Sequence, residues 1–354
     1  MPDVDTRAPL EVGLIGYGLG GSAFHAPLVA ATPGLHLAAV VTRDLGRRTE
    51  VARRYPEARV LDSVAALWAM AKQLDIAIIS SPNATHVPYA RTALESGLHV
   101  VVDKPFAPTA AEAREVGALA DRKSRVAIPF QNRRWDGDFL TVQRLLREGA
   151  LGKVHRFESR FERLRSTVKP GWAAVGAGER GEGIVYDIGA HLVDQALTLF
   201  GPASAVYAEM ERRHPDVVVE DEAFISIRHA AGVRSHLYMS AVAAQPVQRL
   251  AVWGSRAAYV KHGLDGQEAA LRAGSIPDSP GWGAEPPDAW GWIGTFDTRR
   301  PQPTEPGAYH AFYAGVERAI RGGPPPVTVS EAVATITVLE AAHRSAREHR
   351  IVPV

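Results

Sequence analysis

Three ionisable side chains interrupt an apolar run at residues 183–197, GIVYDIGAHLVDQAL. On a helix, Asp187, His191 and Asp194 fall on a single face. Such a face could bind a metal ion, relay a proton between imidazole and carboxylate, or hold a buried histidine by hydrogen bonds. The local pattern leaves these three interpretations open.

A glycine-rich turn near the amino terminus is the second feature with chemical meaning. Gly16, Gly18 and Gly21 form G-x-G-x-x-G after an apolar strand and at the start of a helix. Glycines here let the main chain of the turn, including Tyr17 and Leu19, approach a pyrophosphate that the helix amino terminus stabilises. The pattern predicts a dinucleotide-binding site, with a glycine turn that serves packing alone as the alternative.

The end of the second strand indicates which dinucleotide binds. An acidic side chain about 20 residues after the glycines would hold the ribose hydroxyls of NAD, but here the strand runs into Thr42 and Arg43. A hydroxyl and a guanidinium suit a 2′-phosphate, so NADP is the expected cofactor. Asp44 leaves NAD as an alternative, and a solvated loop is the other interpretation of Arg43.

Polar segments follow three later strands, at the edge where an open parallel sheet binds its ligands. They are SSPNATH after the fourth strand, DKP after the fifth and QNRRW after the sixth. Lys104 follows an unbroken Val100–Val102 and precedes Pro105, which constrains the main chain where the side chain would enter the crevice. A lysine that reaches solvent from a strand end is the alternative.

Together these residues could oxidise a secondary alcohol, which sends a hydride to a nicotinamide and a proton to a base. His191 is the expected proton acceptor, Asp187 would orient it or share its proton, and Lys104 would polarise the hydroxyl oxygen. Asp194 is expected to be a structural partner. No second histidine cluster completes a metal site, so no metal is predicted, while zinc ligation and a satisfied core histidine remain alternatives.

The glycine turn and Lys104 must be positioned by apolar strands that alternate with amphipathic helices. The segments EVGLIG, LHLAAVV, LDIAIIS and LHVVV predict a doubly wound parallel sheet, the Rossmann arrangement of an α/β protein. We expect this dinucleotide-binding domain to span residues 1–130.

Beyond residue 130 the period becomes that of half-exposed strands. In HRFESRFERL, charged residues alternate with Phe157, Ser159 and Phe161. Residues 131–354 are therefore expected to form an α+β domain with a large open, mostly antiparallel sheet. Residues 263–307 hold three tryptophans, which favours an ordered excursion. The final helix, residues 331–347 with Ser330 as its expected cap, is expected to pack back on the first domain.

Composition narrows the class of partner. The chain of 354 residues has 40 basic and 39 acidic side chains, a net charge of +1, which disfavours nucleic acid and anionic membranes as partners. Cysteine is absent, which excludes disulfides and thiolate ligands. The first residues show no basic-then-apolar signal pattern, so we expect a cytoplasmic protein with a small-molecule substrate.

The order of the glycine loop, SSPNATH, VVDKP and GEGIVYDIGAHLVDQAL resembles the glucose-fructose oxidoreductase, inositol dehydrogenase and rhizopine-catabolism (Gfo/Idh/MocA) family over nearly the whole chain. The segments HAPL, QNRRWDGDFL and HGLDGQEAALRAG are similar to the branch that contains NADP-dependent scyllo-inositol dehydrogenase.

The resemblance implies catalysis by the Lys of a Glu-Lys-Pro motif with the Asp and His of G-x-x-x-D-x-G-x-H, here Lys104, Asp187 and His191. It also implies an open sheet that mediates homodimers or homotetramers. The residues that it implies for the cofactor side are Ser80, Ser81, Pro82, Asn83, His86, Asp103, Lys104 and Asn132. Two departures are Asp103 in place of Glu and Ala173 in place of an Arg after Trp172.

We therefore expect an NADP-preferring oxidoreductase that interconverts a ring secondary alcohol of an inositol or sugar with its ketone. Further substrate contacts are expected from Arg133, Trp135, Trp172 and Tyr186, because rings cover the apolar faces of sugars. A glycosidase that retains NAD(P) and oxidises the sugar transiently, and a nucleotide-sensing regulator without catalysis, are the alternatives.

Overall fold

The structure, a computed structural model, describes residues 8–165, 167–168, 172, 181–245, 247–277 and 279–354. Two sheets organise these residues. The first consists of six strands, which are Leu10–Ile15 (β1), Leu35–Val41 (β2), Arg59–Leu61 (β3), Ile76–Ile79 (β4), His99–Val102 (β5) and Ala127–Pro129 (β6).

All pairs in this sheet are parallel, in the order β3-β2-β1-β4-β5-β6. The prediction of a doubly wound sheet is confirmed. The strands are apolar throughout because both faces are covered, on either side, by the helices Ala26–Ala30 (α1), Leu45–Arg54 (α2), Val64–Ala69 (α3), His86–Glu95 (α4) and Ala110–Arg122 (α5). The strand order reverses between β1 and β4, which opens a ligand crevice at their carboxyl ends.

The second sheet has nine strands, which are Val154–Glu162 (β7), Ala203–Glu211 (β8), Glu222–His229 (β9), Arg234–Ser240 (β10), Gln248–Gly254 (β11), Ala258–His262 (β12), Gly291–Gly294 (β13), Arg300–Gln302 (β14) and Val352–Pro353 (β15). Their order is β14-β13-β12-β11-β7-β10-β9-β8-β15. The β7–β10 pair is parallel and the other pairs are antiparallel. The expected mostly antiparallel sheet is confirmed.

One face of this sheet is packed and carries the helix of the ionisable residues. The later helices of the chain are Gly137–Arg147 (α6), Ala190–Phe200 (α7), Gln267–Arg272 (α8), His310–Ile320 (α9) and Val329–Glu348 (α10). On β7, Phe157, Ser159 and Phe161 are buried, as their alternation predicts. The phenylalanines share a core with Leu192 and Val193 of α7.

The last two helices join the two sheets. In α10, Ala332 and Ile336 belong to the apolar core on the first sheet, whereas Leu339 and Ala342 belong to that of the second. Phe312 of α9 also packs on the first sheet, although it lies far beyond residue 130 in sequence. The domain boundary at residue 130 therefore stays a prediction, because helices from beyond it also pack on the first sheet.

The segment after β12 is ordered by side-chain hydrogen bonds. Trp282 Nε1 donates to Gln267 Oε1 at 3.1 Å, and Trp290 Nε1 donates to the carbonyl of Glu285 at 3.2 Å. Strands β13 and β14 extend the sheet edge within it. Within the described residues, none of the helices has both the length and the apolar character needed to cross a bilayer.

The cap of α10 differs from the expectation. Thr328, not Ser330, is the N-cap, because its extended backbone (φ −92°, ψ 156°) directs the hydroxyl to the Glu331 N–H at 3.2 Å. Glu331 Oε2 in turn accepts from the Thr328 N–H at 2.7 Å, which completes a capping box. The sequence offers two adjacent candidate hydroxyls, and only the backbone geometry distinguishes them.

Replacement of Thr328 by alanine should lower the free energy of unfolding by about 1 kcal/mol, because an orphan amide of the helix loses its acceptor. Urea denaturation measures this change. Ser330→Ala is the matched control, since Ser330 is exposed inside the first turn and its hydroxyl contacts the Thr328 hydroxyl, at 2.9 Å, and not the orphan amide. It should change stability by less than about 0.5 kcal/mol. Equal losses in the two variants would contradict the assignment of the cap.

Candidate active site

A cleft of about 590 Å³ lies between the first sheet and the packed face of the second. Both lobes contribute to its lining. The residues predicted from the sequence that line it are Gly18, Leu19, Ser80, Ser81, Asn83, His86, Asp103, Lys104, Asn132, Arg133, Asp187 and His191. Segments far apart in sequence thus converge on one space at the carboxyl ends of the first sheet's strands, where such folds bind ligands.

The glycine turn has the form of a phosphate cradle. Gly16 has φ +97°, and a Cβ there would lie 2.3 Å from the carbonyl oxygen of Ser80. A Cβ on Gly21 would lie 2.1 Å from the Gly16 carbonyl, whereas one on Gly18 would meet nothing within 4 Å. Gly16 and Gly21 therefore permit close packing, and Gly18 leaves open space that a pyrophosphate could approach. The turn fits a dinucleotide.

Tyr17 and Pro82 contribute in a different way from the residues that line the cleft. The Tyr17 ring is buried in the core on the first sheet, so only its main chain belongs to the turn. Pro82 precedes the helical turn Asn83–Thr85. Asn83 Nδ2 donates to the Gly181 carbonyl at 2.9 Å, a contact between the lobes.

His86 connects the segments that follow β4 and β5. Its ring nitrogens lie 2.8 Å from the carbonyls of Pro105 and Ser81.

Lys104 at the end of β5 makes the central contact of the cleft. Its Nζ donates to the side-chain Oδ1 of Asp187 at 2.6 Å and to the Asp187 carbonyl at 2.8 Å. The peptide bond between Lys104 and Pro105 is cis. Arg165 Nη2 lies 3.6 Å from the other carboxylate oxygen of Asp187. An ammonium of one lobe is thus paired with a carboxylate of the other.

The helical segment that carries Asp187 begins against a buried carboxylate. Residues Val185–Gly189 form a π-helical turn that leads into α7. Glu220 accepts the Val185 N–H on Oε1 at 3.2 Å and the Ile184 N–H on its carbonyl at 3.0 Å. Burial raises the pKa of Glu220 to about 7. These bonds fix where Asp187 emerges from the second lobe.

His191 is buried at the start of α7, and Gln131, in place of the expected Asp187, orients its ring. Its Nδ1 lies 3.1 Å from Gln131 Oε1, while Gln131 Nε2 donates to the Ala190 carbonyl at 3.4 Å. The amide therefore presents its oxygen to the ring, so Nδ1 donates and Nε2 is the unprotonated acceptor. Burial lowers the pKa of His191 well below its ordinary value, and the nearby charges of Arg133 and Lys104 lower it further.

Asp194, the third ionisable residue of the run, lies outside this cleft. Arg134 binds its carboxylate in a bidentate manner, with Nε at 2.8 Å from Oδ2 and Nη2 at 2.7 Å from Oδ1. Arg134 Nη1 also donates to Glu331 Oε1 at 2.8 Å. Asp194 thus ties α7 to α10. Among the described residues, no group of three His, Asp or Glu side chains is arranged to hold a metal ion.

Asp103 connects the cleft to a buried pair that the sequence does not predict. Its carboxylate accepts the Lys104 N–H at 2.8 Å and the Ser80 hydroxyl at 3.0 Å, and lies 3.4 Å from His25 Nε2. His25 Nδ1 lies 2.5 Å from the Tyr313 hydroxyl. Burial opposes ionisation of Asp103, but the hydrogen bond and charge of His25 prevail and lower the pKa of the carboxyl group. The histidine of HAPL is the only sequence signal for this pair.

The end of β2 presents an exposed cation and an occupied carboxylate. Thr42 is buried, and its N–H donates to the Leu61 carbonyl at 3.0 Å. Asp44 caps α2, since its Oδ1 accepts the Arg47 N–H at 2.9 Å. Arg43 between them is exposed. The carboxylate is therefore engaged in the helix cap, and the guanidinium faces solvent.

The three aromatic residues expected to contact substrate lie elsewhere. Trp135 packs edge-on against Phe312 at 5.6 Å. Tyr186 donates to the Pro108 carbonyl at 3.2 Å and stacks on His343. Trp172 is 2% exposed in the core of the second sheet. Their large apolar surface is buried in packing, and the ring walls of the cleft are Phe24, Phe130 and Phe161. Ala173 lies outside the described residues.

Comparison with known proteins assigns the chain to a family. Residues 10–130 match the oxidoreductase family with an NAD-binding Rossmann fold, and residues 139–260 match the GFO/IDH/MocA C-terminal domain. The chain is 40% identical to the uncharacterized oxidoreductase YdgJ of Escherichia coli, over 96% of this chain and 97% of that protein. It is 31% identical to scyllo-inositol 2-dehydrogenase (NADP(+)) IolW of Bacillus subtilis, over 99% of this chain and 96% of that protein.

A solved structure is similar over its full length. The oxidoreductase yvaA from Bacillus subtilis has a TM-score of 0.90 and 31% sequence identity, with 100% of both chains covered. The fold, the glycine turn and the relatives agree, and the chain therefore belongs to the Gfo/Idh/MocA family of oxidoreductases with an NAD-binding Rossmann fold.

Proposed function

We propose that this oxidoreductase transfers a hydride between NADP and a ring secondary alcohol of an inositol or sugar. The observation that carries the proposal is the ion pair of Lys104 Nζ with Asp187 at 2.6 Å, in the same cleft as the glycine turn and His191. Cofactor, acid-base groups and substrate would share one space there.

The residues have complementary tasks in alcohol oxidation. NADP⁺, when bound, supplies the acceptor for the hydride that leaves the carbinol carbon. His191 takes the hydroxyl proton on Nε2, and the C–O single bond becomes a carbonyl as both leave. Lys104 stabilises the negative charge that develops on the oxygen, while Asp187 holds the ammonium in place. Reduction of the ketone runs through the same groups in reverse.

The preference for NADP is supported by the end of β2. A 2′-phosphate needs a cation, which Arg43 offers, and would be repelled by a free carboxylate. Asp44 is occupied by its role as helix cap. IolW, which the chain resembles over nearly its full length, is named as an NADP(+) enzyme that acts on scyllo-inositol. The same likeness supports a polyol or sugar as substrate.

The direct test follows nicotinamide absorbance with NADP⁺ and NAD⁺ against inositol isomers, inososes and common sugars. The proposal predicts turnover of at least one ring polyol, faster with NADP⁺. A regulator that only senses the nucleotide would bind NADPH and turn over none of these compounds, which would contradict the proposal.

Lys104→Ala should lower kcat for hydride transfer by roughly 100- to 1,000-fold, because the developing oxyanion loses its cation. Affinity for NADPH, measured by fluorescence titration, should change much less. Lys153→Ala, on an exposed turn before β7, is the control and should retain activity. Equal activity of Lys104→Ala and the control would remove Lys104 from the mechanism.

Arg43→Gln should weaken NADP⁺ binding by roughly tenfold, the loss of one charge-assisted hydrogen bond, and leave NAD⁺ binding nearly unchanged. The ratio of the two KM values measures this change. Arg53→Gln, exposed near the other end of α2, serves as control. A proportional loss for both cofactors would argue against a 2′-phosphate contact.

Gln131→Glu should raise the pKa of His191, since a carboxylate in place of the amide stabilises the imidazolium. Because the oxidation needs neutral His191, the acid limb of kcat/KM should move to higher pH, by roughly one unit. In the wild type that limb should lie below the ordinary histidine value of 6.5, as the lowered pKa of His191 requires. Gln73→Glu, on an exposed turn, is the control, and its pH profile should match that of the wild type. If the acid limb of Gln131→Glu does not shift, His191 is not the base.

A further inference from the structure

We propose that Arg163 and Arg165 form an anion subsite, so that the substrate is a polyol or sugar that carries a carboxylate or phosphate group. The inference rests on the proposed function, whose substrate class it narrows. Both arginines line the cleft beside Asp187 and His191. A neutral inositol would not require two guanidinium groups at this position.

The main chain of the two arginines is fixed. The N–H of Arg163 donates to the Ser240 carbonyl at 2.9 Å, and that of Arg165 donates to the Ala241 carbonyl at 2.8 Å. Leu164 between them forms a bridge with Val242. That bridge is isolated and antiparallel, whereas β7 and β10 pair in parallel up to Glu162. The main chain of the segment is therefore held beside the end of β10. Phe161, Arg163 and Arg165 all line the cleft.

The carboxylates of the cleft are not distributed evenly among its cations. Glu268 is shared by Arg133 at 3.1 Å and Arg272 at 3.0 Å. Asp103 is engaged by Ser80, His25 and a main-chain N–H.

Asp187 is the remaining carboxylate among the described residues that line the cleft, and it faces Lys104, Arg163 and Arg165. Arg163 also interacts with Glu268. Among the described residues that line the cleft, five Lys and Arg side chains face three carboxylates. An anionic substrate would offset this local excess of positive charge.

Each of the two guanidinium groups also lies near an aromatic ring. Arg163 lies over the Phe161 ring at 5.5 Å, and Arg165 lies over the Trp172 ring at 5.6 Å. The Arg165–Asp187 distance of 3.6 Å exceeds that of a normal hydrogen bond. A guanidinium near an aromatic ring can still bind an anion through its N–H groups in a bidentate manner.

The phosphates of the cofactor have other donors. The glycine turn and Arg43 belong to the first lobe, whereas Arg163 and Arg165 extend from a strand of the second. This separation favours the substrate over the dinucleotide as the anion that these arginines bind.

The experiment compares glucuronate and glucose 6-phosphate with glucose and scyllo-inositol as substrates of the whole enzyme with NADP⁺. We expect kcat/KM for at least one anionic compound to exceed that of both neutral ones by roughly tenfold or more, the worth of a charge-assisted hydrogen bond. Carboxylate and phosphate arms distinguish the two kinds of anion. Arg163→Gln should raise KM for the anionic substrate by roughly tenfold at nearly constant kcat, and Arg163→Lys should restore part of the loss.

Arg147→Gln is the matched control, since Arg147 is exposed on α6 outside the cleft. Calorimetric titration of the enzyme–NADP⁺ complex with the same four compounds gives a readout without turnover. Binding of an anion that depends on Arg163, without hydride transfer, would support the subsite and refute the proposed function. Three results would contradict the anion subsite. The enzyme could prefer the neutral compounds, Arg163→Gln could affect all four compounds equally, or Arg163→Gln could lower only the affinity for NADPH.

Discussion

The ion pair between Lys104 and Asp187 is the constraint on which the rest of the structure depends. A partly buried ammonium and carboxylate are stable together only where the geometry is held from both sides, because each loses much of its hydration. The first lobe holds Lys104 at the end of an apolar strand between β4 and β6. The second lobe holds Asp187 on a turn that begins at Glu220. The pair therefore brings together two separately built cores at the site of the proposed chemistry.

Polar contacts between elements far apart in sequence keep the lobes in register. Arg134 clamps Asp194 of α7 and Glu331 of α10, and α10 itself contributes to both apolar cores. Tyr313, from the carboxyl-terminal part of the chain, reaches His25 beside the glycine turn. Each of these buried polar groups has a hydrogen-bond partner, which offsets the loss of its contacts with water. These contacts hold the elements that carry Lys104 and His191 against their neighbours.

Much of this arrangement could be predicted from sequence because it follows from local patterns. Fully apolar strands predict the parallel sheet, and G-x-G-x-x-G after the first strand predicts the phosphate cradle. Lys104 could be found because it lies just after the apolar run Val100–Val102 and directly before Pro105, at the sheet edge where such folds bind ligands. The alternation in β7 predicts its buried face, but not that β7 pairs in parallel with β10, since register between distant strands has no local signal.

The parts that could not be predicted depend on tertiary contacts. Helical periodicity groups Asp187, His191 and Asp194, yet a π-helical turn precedes α7, and the ring of His191 is held by Gln131 from another segment. The aromatic residues Trp135 and Tyr186 are adjacent to site residues in sequence, but packing buries their rings elsewhere. A single sequence does not tell which of several neighbouring aromatic rings faces a cleft.

A double-mutant cycle of Lys104→Met and Asp187→Asn, read as kcat/KM for the NADP-linked oxidation, tests the central claim most directly. If the ion pair acts as one unit, the double variant should lose no more than about threefold beyond the worse single variant, because residues that act together are non-additive. Losses in the two single variants that multiply in the double variant would show independent roles and contradict the account.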